Sequence, residues 1–178
     1  IMLSFGFFFF FKGIETALRA LAYVNDSSLN YIVLGATHPN VVKHEGEVYR
    51  ESLINLVKEL KIENKVDFID EFVNDEQLKD YLTACDIYVS PYPGENQISS
   101  GTLSFALGAG AAVVSTPYLF ARDLLAEGRG ILFDFENAKQ LSQIINELCT
   151  DKTLLKAYRD RAKKYGLNLQ WPQIGSKY

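Results

Sequence analysis

The sequence predicts an α/β domain built on a doubly wound parallel sheet of about six strands, with helices on both faces. Apolar runs of strand length alternate along the chain with segments whose apolar residues recur at helical spacing. Several of these runs are apolar at nearly every position, as expected for strands that helices cover on both sides. Strands alternating with helices form right-handed βαβ units, which build such a sheet.

The elements follow in order along one continuous Rossmann-like domain, predicted over residues 1–165. The predicted strands are 1–5, 31–34, 66–69, 87–90, 112–115 and 130–132. The predicted helices are 13–24, 47–60, 75–84, 102–109, 119–126, 138–149 and 154–164. A tail over residues 166–178, which contains Trp171, departs from the alternation and is predicted to be a last helix that packs elsewhere.

Composition excludes several classes of protein. Hydrophobic residues make up 48% of the 178 positions and charged residues 22%, which excludes a disordered chain. The net charge of −4 does not support broad electrostatic capture of nucleic acid or of an anionic membrane. Cys85 and Cys149 lie far apart with no CxxC spacing, so neither a disulfide framework nor a zinc site is indicated, and a reducing, cytoplasmic location is expected.

Six of the twelve phenylalanines fall near the start, at Phe5 and at 7–11. The apolar stretch 1–11 is too short to span a bilayer. It also lacks the basic start and the small-residue cleavage site of a signal peptide. We interpret the chain as a fragment of a longer protein, cut at a domain boundary.

Two strands are followed by glycine-containing loops. Ligands of open α/β sheets bind beyond the carboxyl ends of the strands, so these loops are candidate sites. Gly6 and Lys12 follow the first strand and offer a turn for close phosphate approach and a positive charge, with a solvated lysine as the alternative. Gly35 and His38 follow the second, where His38 either touches a ligand or holds the loop.

The polar loop after the fourth strand is the richest candidate. Ser99, Ser100 and Thr102 are helix-capping residue types, so the next helix is predicted to present free N–H groups as an anion site. Glu95 is the only carboxylate of this loop. The alternative is an ordinary capped helix with a solvated loop.

Other active sites find little support in the sequence. It contains no GxGxxG after the first strand, no GxxxxGK[ST] and no GxSxG motif. The sequence contains only two histidines, which gives little support to a histidine-rich metal site or to a Ser/His/Asp triad.

Six motifs occur in order along the chain. They are the turns Lys12-Gly13 and Gly128-x-Gly130, Gly35 at the end of the second strand, and the segments 66–72, 84–91 and 110–116. Together they resemble the C-terminal, donor-binding half of GT-B glycosyltransferases of the "group 1" or family 4 type, in which the three segments correspond to the nucleobase loop, the "AD-hydrophobic-PS" run and the "GxPVVxT" strand. The resemblance extends over nearly the whole chain.

Two positions depart from the family pattern. The glutamates of its E-x7-E pair fall on Gln97 and Phe105, with Glu95 two residues before the first. The arginine that follows the first-strand glycine falls on Phe7. The basic pair for the diphosphate is thereby reduced to Lys12.

The resemblance implies a hexosyltransferase that uses a nucleotide-diphosphate sugar, such as a UDP- or GDP-hexose, with retention and with no metal or other cofactor. Lys12 and Glu95 are the expected catalytic residues. The expected donor-binding residues are Gly6, Gly35, His38, Asp70, Phe72, Gln97, Ser99, Ser100, Gly101 and Thr102. Lys12 and the helix start at 99–102 would stabilise the leaving diphosphate, Glu95 and Gln97 would hold the sugar, and the 70–73 loop would hold the base.

The implied partners are a glycan or lipid-linked acceptor of polysaccharide biosynthesis and an absent N-terminal acceptor domain, toward which the 166–178 tail would pack. No nucleic acid and no transmembrane segment are expected, with peripheral membrane attachment as an alternative to a free cytoplasmic protein. Two other functions stay open: a GT-B sugar-nucleotide epimerase or hydrolase, and a non-catalytic nucleotide-sugar-binding or assembly module. The Phe run has two interpretations. It is either the end of a buried strand together with an interface left without its partner by truncation, or the place where Phe7 replaced a donor-binding arginine and altered the site.

Overall fold

One sheet of six parallel strands organises the chain. The computed structural model describes residues 1–7, 9–37, 42–44 and 46–168. The strands are β1 (Met2–Phe5), β2 (Tyr31–Leu34), β3 (Val66–Ile69), β4 (Ile87–Ser90), β5 (Ala112–Ser115) and β6 (Ile131–Leu132). Their order is β3-β2-β1-β4-β5-β6, so the predicted doubly wound, Rossmann-like fold is confirmed.

Helices connect successive strands. They are α1 (Ile14–Leu21), α2 (Val48–Leu60), α3 (Asp75–Ala84), α4 (Gly101–Gly108), α5 (Leu119–Leu124), α6 (Ala138–Thr150) and α7 (Lys152–Asn168), and a short 3-10 turn, Phe10–Lys12, precedes α1. No helix of the described part of the chain is both long and apolar enough to span a bilayer.

The core is split by the sheet into two layers, because successive side chains of a strand point to opposite faces. Tyr31 and Val33 of β2 pack against α1, α2 and α6 on one face. Leu34 of the same strand packs on the other face with residues of α3, α4 and α5. Helix α7 joins the two layers, since its Leu155 belongs to the first and its Ala162 to the second.

The element ends differ from the predictions by a few residues. Helix α4 begins at Gly101 rather than at residue 102, because Ser100 is its N-cap. Helix α7 continues through the predicted boundary at residue 165 and ends at Asn168. The rest of the predicted tail, with Trp171, lies outside the described residues, so the division into 1–165 and 166–178 stays a prediction.

Candidate functional site

A cleft of about 560 Å³ opens at the carboxyl ends of the strands. The chain leaves β1 toward β2 on one side and reaches β4 on the other, so the strand order reverses between β1 and β4. Such a reversal splays the flanking loops and makes room for a ligand. The cleft is lined by residues that follow β1, β2, β3 and β4 and by the start of α4, among them Gly6, Lys12, Gly35, Phe72, Tyr92 and Thr102.

Lys12 is the basic side chain of the cleft lining. It ends the 3-10 turn, and its Nζ donates a hydrogen bond of 2.9 Å to the hydroxyl of Tyr92. The Phe9 ring lies 5.7 Å from the same nitrogen. Burial among these rings lowers the pKa of Lys12 to about 8, because desolvation disfavours the ammonium form. Within the described residues no carboxylate pairs with Lys12, so its charge is available to an anion in the cleft.

Two glycines allow the loops after β1 and β2 to approach each other. A Cβ on Gly35, whose φ is +142°, would lie 2.1 Å from the backbone oxygen of Gly6, a separation that no side chain tolerates. A Cβ on Gly6 would lie 2.9 Å from the Nζ of Lys12 and 3.3 Å from a methyl carbon of Thr102. A small space therefore lies beside the backbone of Gly6, between the side chains of Lys12 and Thr102.

The start of α4 faces the same space. Ser100 is buried, and its hydroxyl accepts a hydrogen bond from the N–H of Leu103, as expected of an N-cap. Among the described contacts none occupies the N–H groups of Gly101 and Thr102. Two donors at the positive end of the helix thus remain for a ligand, together with the Thr102 side chain in the cleft lining.

Buried hydroxyl groups hold the loop between β4 and α4. The hydroxyl of Tyr118 lies 3.0 Å from that of Ser90, and the hydroxyl of Ser100 lies 3.3 Å from that of Thr102. Thr116 donates to the backbone oxygen of Tyr92 at 2.7 Å. These bonds fix both Tyr92, which contacts Lys12, and Ser100, which caps α4.

Arg50 is a residue that the sequence analysis missed. It is buried on α2, and its Nη2 donates to the backbone oxygen of Gly35 and to Oδ1 of Asp70, both at 2.7 Å. Its Nε lies 3.4 Å from Glu47, which also accepts a hydrogen bond from Thr37. One guanidinium thus ties the loop after β2 to the loop after β3. No periodic sequence pattern indicates this role of Arg50, because its partners lie 15 and 20 residues away along the chain.

Glu95 and Gln97 are placed differently from the residues above. The Glu95 carboxylate pairs with Arg122 of α5 at 2.8 Å, and both side chains are about half exposed. The backbone oxygens of Glu95 and Gln97 accept from the first N–H groups of α5, and the Gln97 amide donates to the oxygen of Ser99. Neither side chain lines the cleft.

The predicted site residues thus fall into groups. The structure brings Gly6, Lys12, Gly35, Phe72 and Thr102 together in the lining of the cleft. Ser100 and Gly101 stand behind them at the helix start, and Asp70 contacts Arg50. Ser99 is exposed beside Gln97. His38 lies outside the described residues.

Aromatic side chains form the rim of the cleft. Phe7 stacks on Phe72 with ring centroids 5.8 Å apart, and Phe72 remains 80% exposed. Phe10 and Phe11 are also exposed, at 49% and 71%, but neither lines the cleft: Phe10 contacts Tyr49 and Phe11 contacts Phe9. We call Phe7 and Phe72 the aromatic rim. It offers apolar faces both to a flat ligand and to a covering domain.

The doubly wound sheet, with a cleft where the strand order reverses that Lys12 lines together with Glu71 and Asp75, defines a Rossmann-like domain. Over residues 1–165 the chain matches the family "Glycosyl transferases group 1" and belongs to it. A curated relative, the N-acetylgalactosamine-N,N'-diacetylbacillosaminyl-diphospho-undecaprenol 4-alpha-N-acetylgalactosaminyltransferase of Campylobacter jejuni, is 29% identical over 155 residues. That match covers 85% of the chain and 38% of the relative.

Solved structures share the fold. An Anabaena protein crystallised with UDP and glucose superposes with a TM-score of 0.80 at 20% identity, covering 99% of the chain and 48% of its own. The C-terminal domain of a glycosyl transferase group 1 family protein from Francisella tularensis gives 0.80 at 16% identity, covering 94% of the chain and 84% of that domain. The predicted resemblance to half of a GT-B enzyme is thereby confirmed, and the chain spans less than half the length of the curated relative.

Proposed function

We propose that this chain is the donor-binding part of a glycosyltransferase that transfers a hexose from a nucleotide-diphosphate sugar, with retention, to a glycan or lipid-linked acceptor. The single observation that carries the proposal is the meeting of Lys12, Gly6 and the start of α4 in one cleft. A positive charge, a backbone without a side chain and free helix N–H groups are what a diphosphate requires. Membership of the family and the relative's lipid-linked acceptor agree with it.

The chemistry assigned to this site is electrostatic. When the bond between the anomeric carbon and the diphosphate oxygen breaks, the electron pair goes to the leaving nucleoside diphosphate, which gains negative charge. Lys12 and the N–H groups of Gly101 and Thr102 would stabilise that charge in a site fixed before the reaction. No resident cofactor or metal is required by this scheme.

The aromatic rim and the loop after β3 are assigned to the base. Phe72 offers an exposed ring at the cleft mouth, and Arg50 holds the preceding Asp70 in place. Asp70 thus serves to position the loop through its bond to Arg50.

Substitution of Lys12 tests the phosphate role. Lys12→Ala removes the charge-assisted contact to the diphosphate, so the affinity for UDP-glucose or GDP-mannose should fall at least about tenfold. Isothermal calorimetry measures the loss, after a thermal-shift panel of UDP-, GDP- and ADP-sugars has identified the preferred base. Lys139→Ala, which removes an exposed lysine of α6, is the matched control. Unchanged affinity in Lys12→Ala would refute the proposed phosphate site.

A second candidate function is a nucleotide-sugar-binding or assembly module without transfer activity. The observation that favours it is the pairing of Glu95 with Arg122 away from the cleft lining, which leaves the donor sugar without a carboxylate from this loop. Product analysis with a radiolabelled sugar nucleotide and the full-length protein separates the two. Binding without release of nucleoside diphosphate would favour the module.

A further inference from the structure

The hydroxyl of Tyr92 lies beside the ammonium group of Lys12 in the candidate donor cleft. It accepts a hydrogen bond of 2.9 Å from Nζ of Lys12, and within the described residues it is the one hydrogen-bond partner of that side chain. Both side chains line the cleft. Because a Cβ on Gly6 would lie 2.9 Å from the same Nζ, the Tyr92 hydroxyl is one hydrogen bond away from the small space beside Gly6.

The proton of this hydroxyl is uncommitted. A tyrosine hydroxyl both donates and accepts, and the lone pair of Tyr92 already accepts from Lys12, so its O–H must point away from the ammonium group. In the part of the chain that the structure describes, no carbonyl or carboxylate accepts from it. Burial raises the pKa of Tyr92 above that of an ordinary tyrosine, so the phenol keeps its proton near neutral pH. Tyr92 therefore has a donor to spare beside a buried cation.

The ring of Tyr92 is held in place by the layer behind it. It packs edge-on against Tyr118, with ring centroids 5.2 Å apart, and the Nζ of Lys12 lies 5.1 Å from its own centroid. Thr116 donates to its backbone oxygen at 2.7 Å. A donor that is fixed before the ligand arrives loses little conformational freedom on binding.

The backbones of the two loops bring Lys12 and Tyr92 together. Gly13 follows Lys12 and Pro91 precedes Tyr92, and a Cβ on Gly13 would lie 2.0 Å from the backbone oxygen of Pro91. Only glycine permits so close an approach. The pairing of the lysine with the tyrosine is therefore built into the fold.

We propose that the Tyr92 hydroxyl is a second hydrogen-bond donor to the diphosphate of the sugar nucleotide, acting beside Lys12. This inference rests on the proposed function, because it assigns a further binding residue to the same site. The Nζ of Lys12 would donate to one phosphate oxygen and the O–H of Tyr92 to a neighbouring one. The phenol keeps its proton throughout, and both hydrogen bonds strengthen as the leaving diphosphate gains negative charge.

Tyr92→Phe tests the proposal, because it removes the donor and keeps the ring. In the full-length protein at pH 5.5, where Lys12 is protonated, the affinity for UDP-glucose or GDP-mannose should fall at least about fivefold, since a hydrogen bond to a charged oxygen is lost. Calorimetry measures the loss with whichever of the two the wild type binds more tightly. Tyr158→Phe, which removes the hydroxyl of a partly buried tyrosine of α7, is the matched control and should bind within about twofold of the wild type.

A pH profile separates a contact at the diphosphate from general damage to the loop. The Tyr92 hydroxyl stabilises the ammonium form of Lys12, so its removal lowers the pKa of Lys12 further. The loss of affinity at alkaline pH should therefore begin at least about half a pH unit lower in Tyr92→Phe than in the wild type. A loss of affinity that is the same at every pH would assign the effect to a loosened loop and would overturn the proposal.

The remaining outcomes distinguish this inference from the proposed function. If Lys12→Ala loses its affinity while Tyr92→Phe at pH 5.5 binds within about twofold of the wild type, Tyr92 is not a donor and the proposed function stands. Equal losses in Tyr92→Phe and Tyr158→Phe would overturn the role of Tyr92 as well. If the wild type binds no sugar nucleotide, the proposed function itself fails, and the assignment of Tyr92 fails with it.

Discussion

Lys12 combines a charge with an environment that disfavours charge. Burial lowers its pKa to about 8, so near neutral pH it is protonated and can attract a diphosphate, yet it loses its proton within a range where ordinary lysines do not. A group with a lowered pKa carries its charge below that pKa and loses it as the pH rises. Anion binding that depends on Lys12 must follow the same direction.

The pH dependence of sugar-nucleotide binding should therefore report on Lys12. Between pH 7 and pH 9 the affinity for UDP-glucose should fall by up to about tenfold, because the protonated fraction of a group with a pKa near 8 falls by that factor. Calorimetry at several pH values measures the profile. Lys12→Arg stays protonated throughout and should show a flat profile. Identical slopes in both proteins would assign the dependence to another group.

At the scale of residues, the sequence predicts what depends on neighbours along the chain. Gly6, Gly35 and Lys12 were identified because they follow strand ends, and the strand ends are visible as apolar runs. Arg50 and the pairing of Glu95 with Arg122 were missed, since their partners meet only after the sheet has formed. The sequence around a polar residue on a helix does not indicate which loop its side chain will contact in the folded protein.

At the scale of elements, the strands were predicted almost to the residue and the helices within a few. β2, β4 and β5 coincide with the predicted runs because buried parallel strands are apolar at nearly every position and stop at polar or glycine residues, and the edge strand β3, which contains Asp67, also coincides with its predicted run. Helix ends depend on caps and on packing, which propensity does not decide. The start of α4 shows this. Ser99, Ser100 and Thr102 are all suitable N-cap residue types, but only the hydroxyl of Ser100 accepts a hydrogen bond from the N–H of Leu103.

The two loops that Arg50 connects should behave as one unit. Arg50→Met leaves the Gly35 oxygen and Asp70 without their partner, so the free energy of unfolding should fall by about 1 to 3 kcal/mol. Urea denaturation measures this loss. Affinity for UDP-glucose should fall as well, because Phe72 follows the loop that Asp70 anchors.

A conservative variant separates positioning from general stability. Arg50→Lys keeps the charge but cannot reach both acceptors at once, and it should recover stability more than it recovers affinity. If Arg50→Met unfolds at the wild-type urea concentration and binds UDP-glucose equally well, Arg50 does not hold the two loops.

At the scale of the whole molecule, one wall of a cleft is exposed. The aromatic rim lies at the mouth of a cavity that opens to solvent, and Phe72 is 80% exposed there. Together with coverage of less than half of the curated relative, this favours a binding site that a second domain completes. Ligand pockets that bind tightly bury most of their ligand, and one wall alone does not.

The chain by itself should therefore bind UDP-glucose or GDP-mannose at least about tenfold more weakly than the full-length protein, and should transfer little or no sugar. The second domain would add contacts to the exposed side of the donor and exclude water, which strengthens every charged interaction in the cleft. Calorimetry on both proteins measures the difference. Robust transfer by the chain alone would contradict the proposal that a second domain completes the site.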